Sequence, residues 1–382
     1  MHWRKTCLIS PPAVAPSRPD FEVIGTFNPG AVRIGDTVHL LVRIAEQPIA
    51  DSDFVPLPRY DGDGKLHVDH LSDSAVEKID ARVVIDRRGG NARLTSVSYL
   101  RPFTAPIENA EDPAAYVDTG GRFMPAAVTE TMGVEDPRLT VIDGDVHFTY
   151  VSVSSHGACT SVATTSDFQT FDRHGVAFCN ENKDVLLLPQ KIDGRYAALH
   201  RPVSSTPFGA PEMWVAWSDD LACWGGHRPL RFVARSSSST STSGSSGSST
   251  SASTTGQTDD GWDSGRVGGG TVPIRVGDHW ISLFHGNARS DVPGQVGKYC
   301  GAMMACQFND PSSVVATSGP VLVPDQSFET EGFVPGVVFP TAWIERDDEV
   351  LIFYGAADEH TAVAVANRQS LLKQLPLSTA TA

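Results

Sequence analysis

Five times along this chain of 382 residues, a short polar turn built on Gly or Asp is followed by an alternating apolar run. The first copy reads Ile34-Gly35-Asp36-Thr37-Val38-His39-Leu40-Leu41-Val42-Arg43, and the others occupy residues 142–150, 192–200, 276–285 and 347–355. Gly and Asp tolerate the left-handed backbone that reverses a chain sharply, and a period of two lays one face of the following run on a core. Each copy is therefore a hairpin. Residues 161–168, 213–220 and 301–306 then supply a further strand of small and apolar residues after three of these hairpins. Such a unit cannot bury its own apolar face, so copies must pack on one another.

Radial packing predicts an all-β fold, a five-bladed β-propeller around a central pocket, with residues 1–382 forming one domain. A decorated β-sandwich is the alternative. The uneven spacing has two sources. A Ser/Thr/Gly-rich stretch at 236–258, purely Ser, Thr, Gly and Ala over residues 236–256, buries too little apolar surface to offset its ordering entropy. It reads as a disordered loop, with a regulatory phosphorylation segment as the other reading. Residues 51–133 read as an insertion plus the remainder of the first blade, and only residues 368–375 read as a helix, short and C-terminal.

Charge narrows the partners. The 30 Lys and Arg against 45 Asp and Glu leave −15, which excludes a nucleic-acid partner because phosphate backbones are bound through clustered cations. No run approaches the ~18 consecutive apolar residues of a membrane span. The first twelve residues lack an apolar signal core behind Arg4 and Lys5, so a cytoplasmic protein is expected. The six cysteines (7, 159, 179, 223, 300 and 306) are widely spaced without a Cys-x-x-Cys pair, which favours buried free thiols over disulfides or zinc ligands. The oligomeric state is left open, a homo-oligomer included.

In a propeller, the inner strands converge, and residues far apart in sequence line one pocket. Polar groups recur at equivalent points of the five units. Asn28 lies in Phe27-Asn28-Pro29-Gly30-Ala31, and Arg43 closes the first apolar run. Glu135-Asp136-Pro137-Arg138 precedes the second hairpin. Lys183 and Asp184 precede the third, which ends in His200-Arg201-Pro202. Arg266 precedes Gly268-Gly269-Gly270 and the fourth, which ends in His285-Gly286, and the fifth ends in Gly355-Ala356-Ala357-Asp358. Each has a bland reading as a turn, cap or ion pair, but five units repeating the placement point to a site. Carboxylates, an amide and several cations, without a metal motif or a phosphate loop, suit carbohydrate chemistry. One carboxylic acid protonates a glycosidic oxygen, and the excess of cations suits an anionic nucleophile such as phosphate. The glycine run, with no Gly-Lys-Ser/Thr after it, reads as a turn permitting close approach.

As an ordered set these motifs resemble glycoside hydrolase family 130, the β-mannoside phosphorylases and related β-mannosidases, over residues 26–375. The resemblance implies a five-bladed propeller and inverting phosphorolysis of short β-mannosides to α-mannose 1-phosphate, with inorganic phosphate as co-substrate and no cofactor. It implies Asp136 as proton donor through a mannosyl hydroxyl, Asn28, Arg43 and Asp358 around the mannosyl ring, and Lys183, Arg201, Arg266 and His285 around phosphate. Lys183 stands where phosphorylases of the family carry Arg, and Arg266 where they carry Lys, an exchange that keeps charge but not fork geometry. Two alternatives follow: an inverting β-mannosidase using water, with Glu181, Glu329 or Glu331 as base, or a carbohydrate-binding propeller without catalysis.

Overall fold

Each of the five expected turns reverses the chain in a computed structural model that describes residues 1–50, 54–203, 212–232, 261–288 and 296–377. The Ser/Thr/Gly-rich stretch at 236–258 lies outside the described residues. The Asp143-Gly144 and Asp193-Gly194 pairs both take positive φ, the geometry whose twist matches a two-residue hairpin. Gly35, Gly277 and Asp347 are left-handed at the other three tips.

Five antiparallel sheets result, each opened by one of these hairpins. The first orders Phe21–Ile34, Thr37–Pro48, Val97–Pro106 and Val117–Asp118; the second Gly133–Ile142, Asp145–Ser154, Gly157–Thr165 and Asp172–Phe178. The third contains Asn182–Leu187, Tyr196–Pro202, Trp214–Ser218 and Trp224–Pro229. In the fourth, Arg266–Gly269 and Ile274–Val276 both pair with His279–Asn287, followed by Tyr299–Gln307, Ser313–Leu322 and a parallel edge at Arg231–Phe232. The fifth joins Val338–Arg346, Glu349–Ala356 and His360–Asn367 to Arg4–Ile9 from the N-terminus.

Apolar layers lie between successive sheets. Ile142, Val185 and Ala198 fill the space between second and third, Leu199, Trp280 and Met304 between third and fourth, and Leu283, Met303 and Ile352 between fourth and fifth. The largest layer joins the fifth and second sheets to the first through Leu40, Ile44, Phe148 and Phe353. Residues alternate along each strand, so each sheet serves two layers at once, which is why both faces must be apolar.

Residues 51–133 hold both an insertion and the last two strands of the first sheet, Val97–Pro106 and Val117–Asp118. The insertion is a pair of small sheets, Val55–Tyr60 with Leu66–Leu71 and Val76–Lys78 with Val83–Asp86 and Asn91–Leu94, set between the second and third strands of the first sheet. The C-terminal helix spans Arg368–Leu372, with the Asn367 side chain accepting from the Ser370 N–H. A second short helix, Ser327–Thr330, carried no signal in the sequence. All six thiols are free, but Cys179 and Cys223 are exposed and Cys7 is half-buried, so only Cys159, Cys300 and Cys306 are buried as expected.

Candidate active site

The first strands of the first three sheets share a defect that aims side chains at one cavity. Their pairing slips between Phe27 and Gly30, between Glu135 and Arg138, and between Lys183 and Leu186. At each slip a non-glycine residue is left-handed: Asn28 (φ 49°), Asp136 (φ 50°) and Asp184 (φ 56°). Bulges of this kind re-aim a side chain, and strain of ~1–3 kcal/mol at each such residue persists only where surrounding structure enforces it. Asp358, just beyond the last strand of the fifth hairpin, is left-handed as well (φ 50°). Beside the bulges of the first and third sheets the second strands place Arg43 against Phe27 and Arg201 against Lys183, and in the fourth sheet, whose pairing is regular here, His285 faces Gly268.

All eight residues expected in the site line this one cavity of about 300 Å³: Asn28, Arg43, Asp136, Lys183, Arg201, Arg266, His285 and Asp358. On one side, Asp136 Oδ1 accepts from Asn28 Nδ2 at 2.9 Å and from Arg43 Nη1 at 3.0 Å. Arg43 is itself fixed by Glu135 Oε1 at 2.7 Å, by Ser98 Oγ at 3.0 Å, and by stacking on Phe27 with 4.6 Å to the ring centre. The contacts from Asn28 and Arg43 thus fall on the same oxygen of Asp136, Oδ1. Burial raises the carboxyl of Asp358 to about 6; Arg43 opposes the shift, and the charge of Asp136 adds to it.

On the other side stand four basic groups. Arg201 Nη2 pairs with Asp184 Oδ2 at 2.9 Å, and His285 Nε2 approaches the same oxygen at 3.2 Å. Burial alone would raise the Asp184 carboxyl, but Arg201 and His285 outweigh it and hold the group well below the usual carboxylate range. Burial pushes the His285 imidazole down, and the neighbouring Asp184 opposes the shift. The Lys183 side chain makes no hydrogen bond or ion pair among the described residues, and the buried Arg201 Nε and His285 Nδ1 have no partner. Arg266 is exposed at the cavity, with Nη1 3.5 Å from the Tyr299 hydroxyl. A buried donor without a partner, such as Arg201 Nε, costs ~1–3 kcal/mol unless a ligand meets it.

Asp184, singled out in the sequence only as a neighbour of Lys183, is thus part of the site; its signal was a second acidic residue at the bulge position shared with Asp136. The glycine run is not a turn. Gly268 and Gly269 end the strand Arg266–Gly269, where a Cβ would lie 2.3 Å from Asp184 Oδ2 and 2.6 Å from the Asp184 carbonyl respectively. Close approach is the reason for glycine, as expected, but within a sheet. The three glutamates considered as bases for water do not line the cavity. Glu329 is fully buried in ion pairing with Lys5 and accepts from the Tyr354 hydroxyl at 2.7 Å, a structural role. Glu181 and Glu331 are exposed outside it.

A polar cavity walled by carboxylates and an amide on one side and cations on the other, where antiparallel sheets meet, defines a carbohydrate-active enzyme that handles an anion. The chain belongs to glycoside hydrolase family 130: a family model described as beta-1,4-mannooligosaccharide phosphorylase matches residues 94–376. It is 34% identical over 381 residues, 98% of this chain and 97% of the relative, to the beta-1,2-mannobiose phosphorylase of Listeria innocua. It is 30% identical to the 1,2-beta-oligomannan phosphorylase of a Thermoanaerobacter species over 248 residues, 63% of this chain and 71% of that one. The solved complex of the Listeria innocua enzyme with beta-1,2-mannobiose matches with a TM-score of 0.81 at 32% identity, covering 99% of this chain and 100% of that one. No helix among the described residues is long and apolar enough to cross a membrane.

Proposed function

We propose that the protein is an inverting phosphorylase of short β-mannosides, releasing α-mannose 1-phosphate and a shortened sugar, and that β-1,2-mannobiose is its substrate. The linkage rests on the full-length similarity to the Listeria innocua enzyme. The observation that carries the reaction type is the cationic side of the cavity, where an unpaired Lys183 and the orphaned Nε of Arg201 await an anion. Arg binds phosphate through paired N–H groups and Lys through a point charge, and together they offset its charge.

In this reading the five sheets are blades of a propeller, closed by the N-terminal strand Arg4–Ile9, and the described residues form one domain with the insertion on its first blade. Asn28, Arg43 and Asp358 hold the mannosyl ring. Phosphate, held by Lys183, Arg201, Arg266 and His285, attacks the anomeric carbon as the glycosidic bond breaks. The leaving oxygen takes a proton that Asp136 supplies through a mannosyl hydroxyl. Asp136 is left as a carboxylate, and the charge formed meets Asn28 Nδ2 and Arg43 Nη1 already in place, which is preorganised stabilisation. The enzyme works in the cytoplasm, where phosphate is abundant. Glu181, Glu329 and Glu331, the glutamates weighed as bases for water, do not line the cavity, which favours phosphate over water as nucleophile.

The test is incubation with β-1,2-mannobiose with and without phosphate. Phosphate-dependent mannose 1-phosphate is expected; free mannose at equal rates in both would overturn the phosphorylase, and phosphorolysis only of β-1,4-mannobiose would overturn the linkage.

A further inference from the structure

Arg138, the last residue of Glu135-Asp136-Pro137-Arg138, is 1% exposed and lies outside the cavity lining, yet its guanidinium joins the two sides of the site. Nε donates to the Gly270 carbonyl of the fourth sheet at 2.9 Å, and Nη1 donates to the carbonyls of Asp136 at 3.1 Å and Pro137 at 3.3 Å. Its plane faces Phe339 at 5.2 Å, and Nη2 is buried without a partner. Among the described residues no other side chain hydrogen-bonds between sheets that are not successive, counting the fifth and first as successive. Asn28 and Arg43 link first to second, Asp184 links third to fourth, and Thr341 links fifth to first. Gly270 is itself closely packed, since a Cβ there would lie 2.6 Å from the Leu283 carbonyl.

The charge is as unusual as the span. Among the described residues no carboxylate oxygen bonds this buried cation; burial disfavours its charge, and only the more distant fields of Asp184 and Asp136 favour it. A cation so placed is expensive to keep for packing alone. It grips the carbonyl of the left-handed residue that bears the proposed proton donor, and the strand end beside the proposed phosphate side.

We propose that Arg138 is a positioning residue for the reaction. Its fork sets the separation between Asp136 and the phosphate-binding wall, and its charge lies beneath both. An inverting displacement needs acid and nucleophile on opposite faces of one sugar, so their spacing is a rate-determining distance, and an error of ~1 Å costs about 100-fold. The inference rests on the phosphorylase reading above, and the two fail separately because the wild-type enzyme alone tests phosphate dependence.

The experiment compares R138M and R138K with wild type in phosphorolysis of β-1,2-mannobiose across pH, with melting followed in parallel. Both variants lose the fork, so kcat is expected to fall about 100-fold, while KM for mannobiose and for phosphate stays within threefold. Only R138M loses the charge. Removing a cation lets a carboxylic acid stay protonated to higher pH, so the alkaline limb of kcat should move up in R138M and stay in place in R138K. Lowered melting with kcat of the folded fraction within threefold of wild type in either variant would overturn the proposal, as would a limb that moves equally in both. Should R138M not fold, R138K decides through its kcat, with R138A supplemented by free guanidinium as the second readout. Recovery of rate by guanidinium supports positioning, and no recovery in a folded R138A overturns it.

Discussion

Replacing Gly268 by Ala adds one methyl group at the tightest point of the cationic side. The new Cβ would lie 2.3 Å from Asp184 Oδ2, 2.6 Å from His285 Nε2 and 2.7 Å from His285 Cε1, whereas ordinary contact begins near 3.4 Å. Both side chains must retreat by about an ångström, and neither has room, because Asp184 is 5% and His285 1% exposed. Glycine is needed here for space alone, since Gly268 is not among the glycines with positive φ. Retreat breaks the 3.2 Å contact between Asp184 and His285 and drags on the 2.9 Å pair with Arg201. Overpacking of this kind costs ~1–3 kcal/mol of stability, within the margin of a folded domain. The catalytic effect should be larger and selective. A displacement of ~1 Å in the anion site predicts about a 100-fold loss in kcat/KM for phosphate. KM for mannobiose should change by less than threefold, because Asn28, Arg43 and Asp136 lie on the other side. Initial rates with phosphate varied at saturating mannobiose, and the converse, separate the two, and urea unfolding reports the stability. Phosphate kinetics within threefold of wild type in folded G268A would refute the assignment of Arg201 and His285, the partners of Asp184, to the anion.

Three further outcomes are expected. D136N should abolish turnover while its melting temperature stays within a few degrees of wild type, because the amide keeps the volume but has no proton to give; near-normal rates would remove Asp136 from the acid role. The carboxyl of Asp358, raised to about 6 in the fold against 3.8 unfolded, binds more protons in the native state. Stability should therefore fall as pH rises from about 4 through 6, by roughly 3 kcal/mol in all. D358N should flatten that fall, and an unchanged pH dependence of urea midpoints would count against the shift. E329A leaves Lys5 and the Tyr354 hydroxyl without their buried partner and should cost about 3–5 kcal/mol, with kcat of the folded fraction unchanged. A large drop in kcat at full folding would restore Glu329 as a catalytic candidate.

Local pattern carried a long way in this chain. The five hairpins were readable because Asp and Gly at the tips and the period-two runs after them are short-range signals. The eight residues expected at the site were readable because they lie just before those hairpins or at the ends of their apolar runs. What local pattern does not encode is which distant groups meet. Asn28, Asp136 and Asp184 look like turn residues in sequence, and only the slipped pairing of three strands shows that they are bulge residues turned toward one cavity. Asp184 became part of the site through Arg201 and His285, and Glu329 left it through Lys5 and Tyr354, partners 17, 101, 324 and 25 residues away. The short strands of the insertion gave too few alternations to separate them from loop, and the strand Arg4–Ile9 owes its place to the edge offered by His360–Asn367 at the far end of the chain. By itself the sequence determined the repeating unit and the chemistry of its tips, since both depend on neighbours in the chain. The tertiary structure alone decided the pairing of charges across the cavity and the tie of Arg138 to Gly270, since burial and long-range contact set the cost of every such charge.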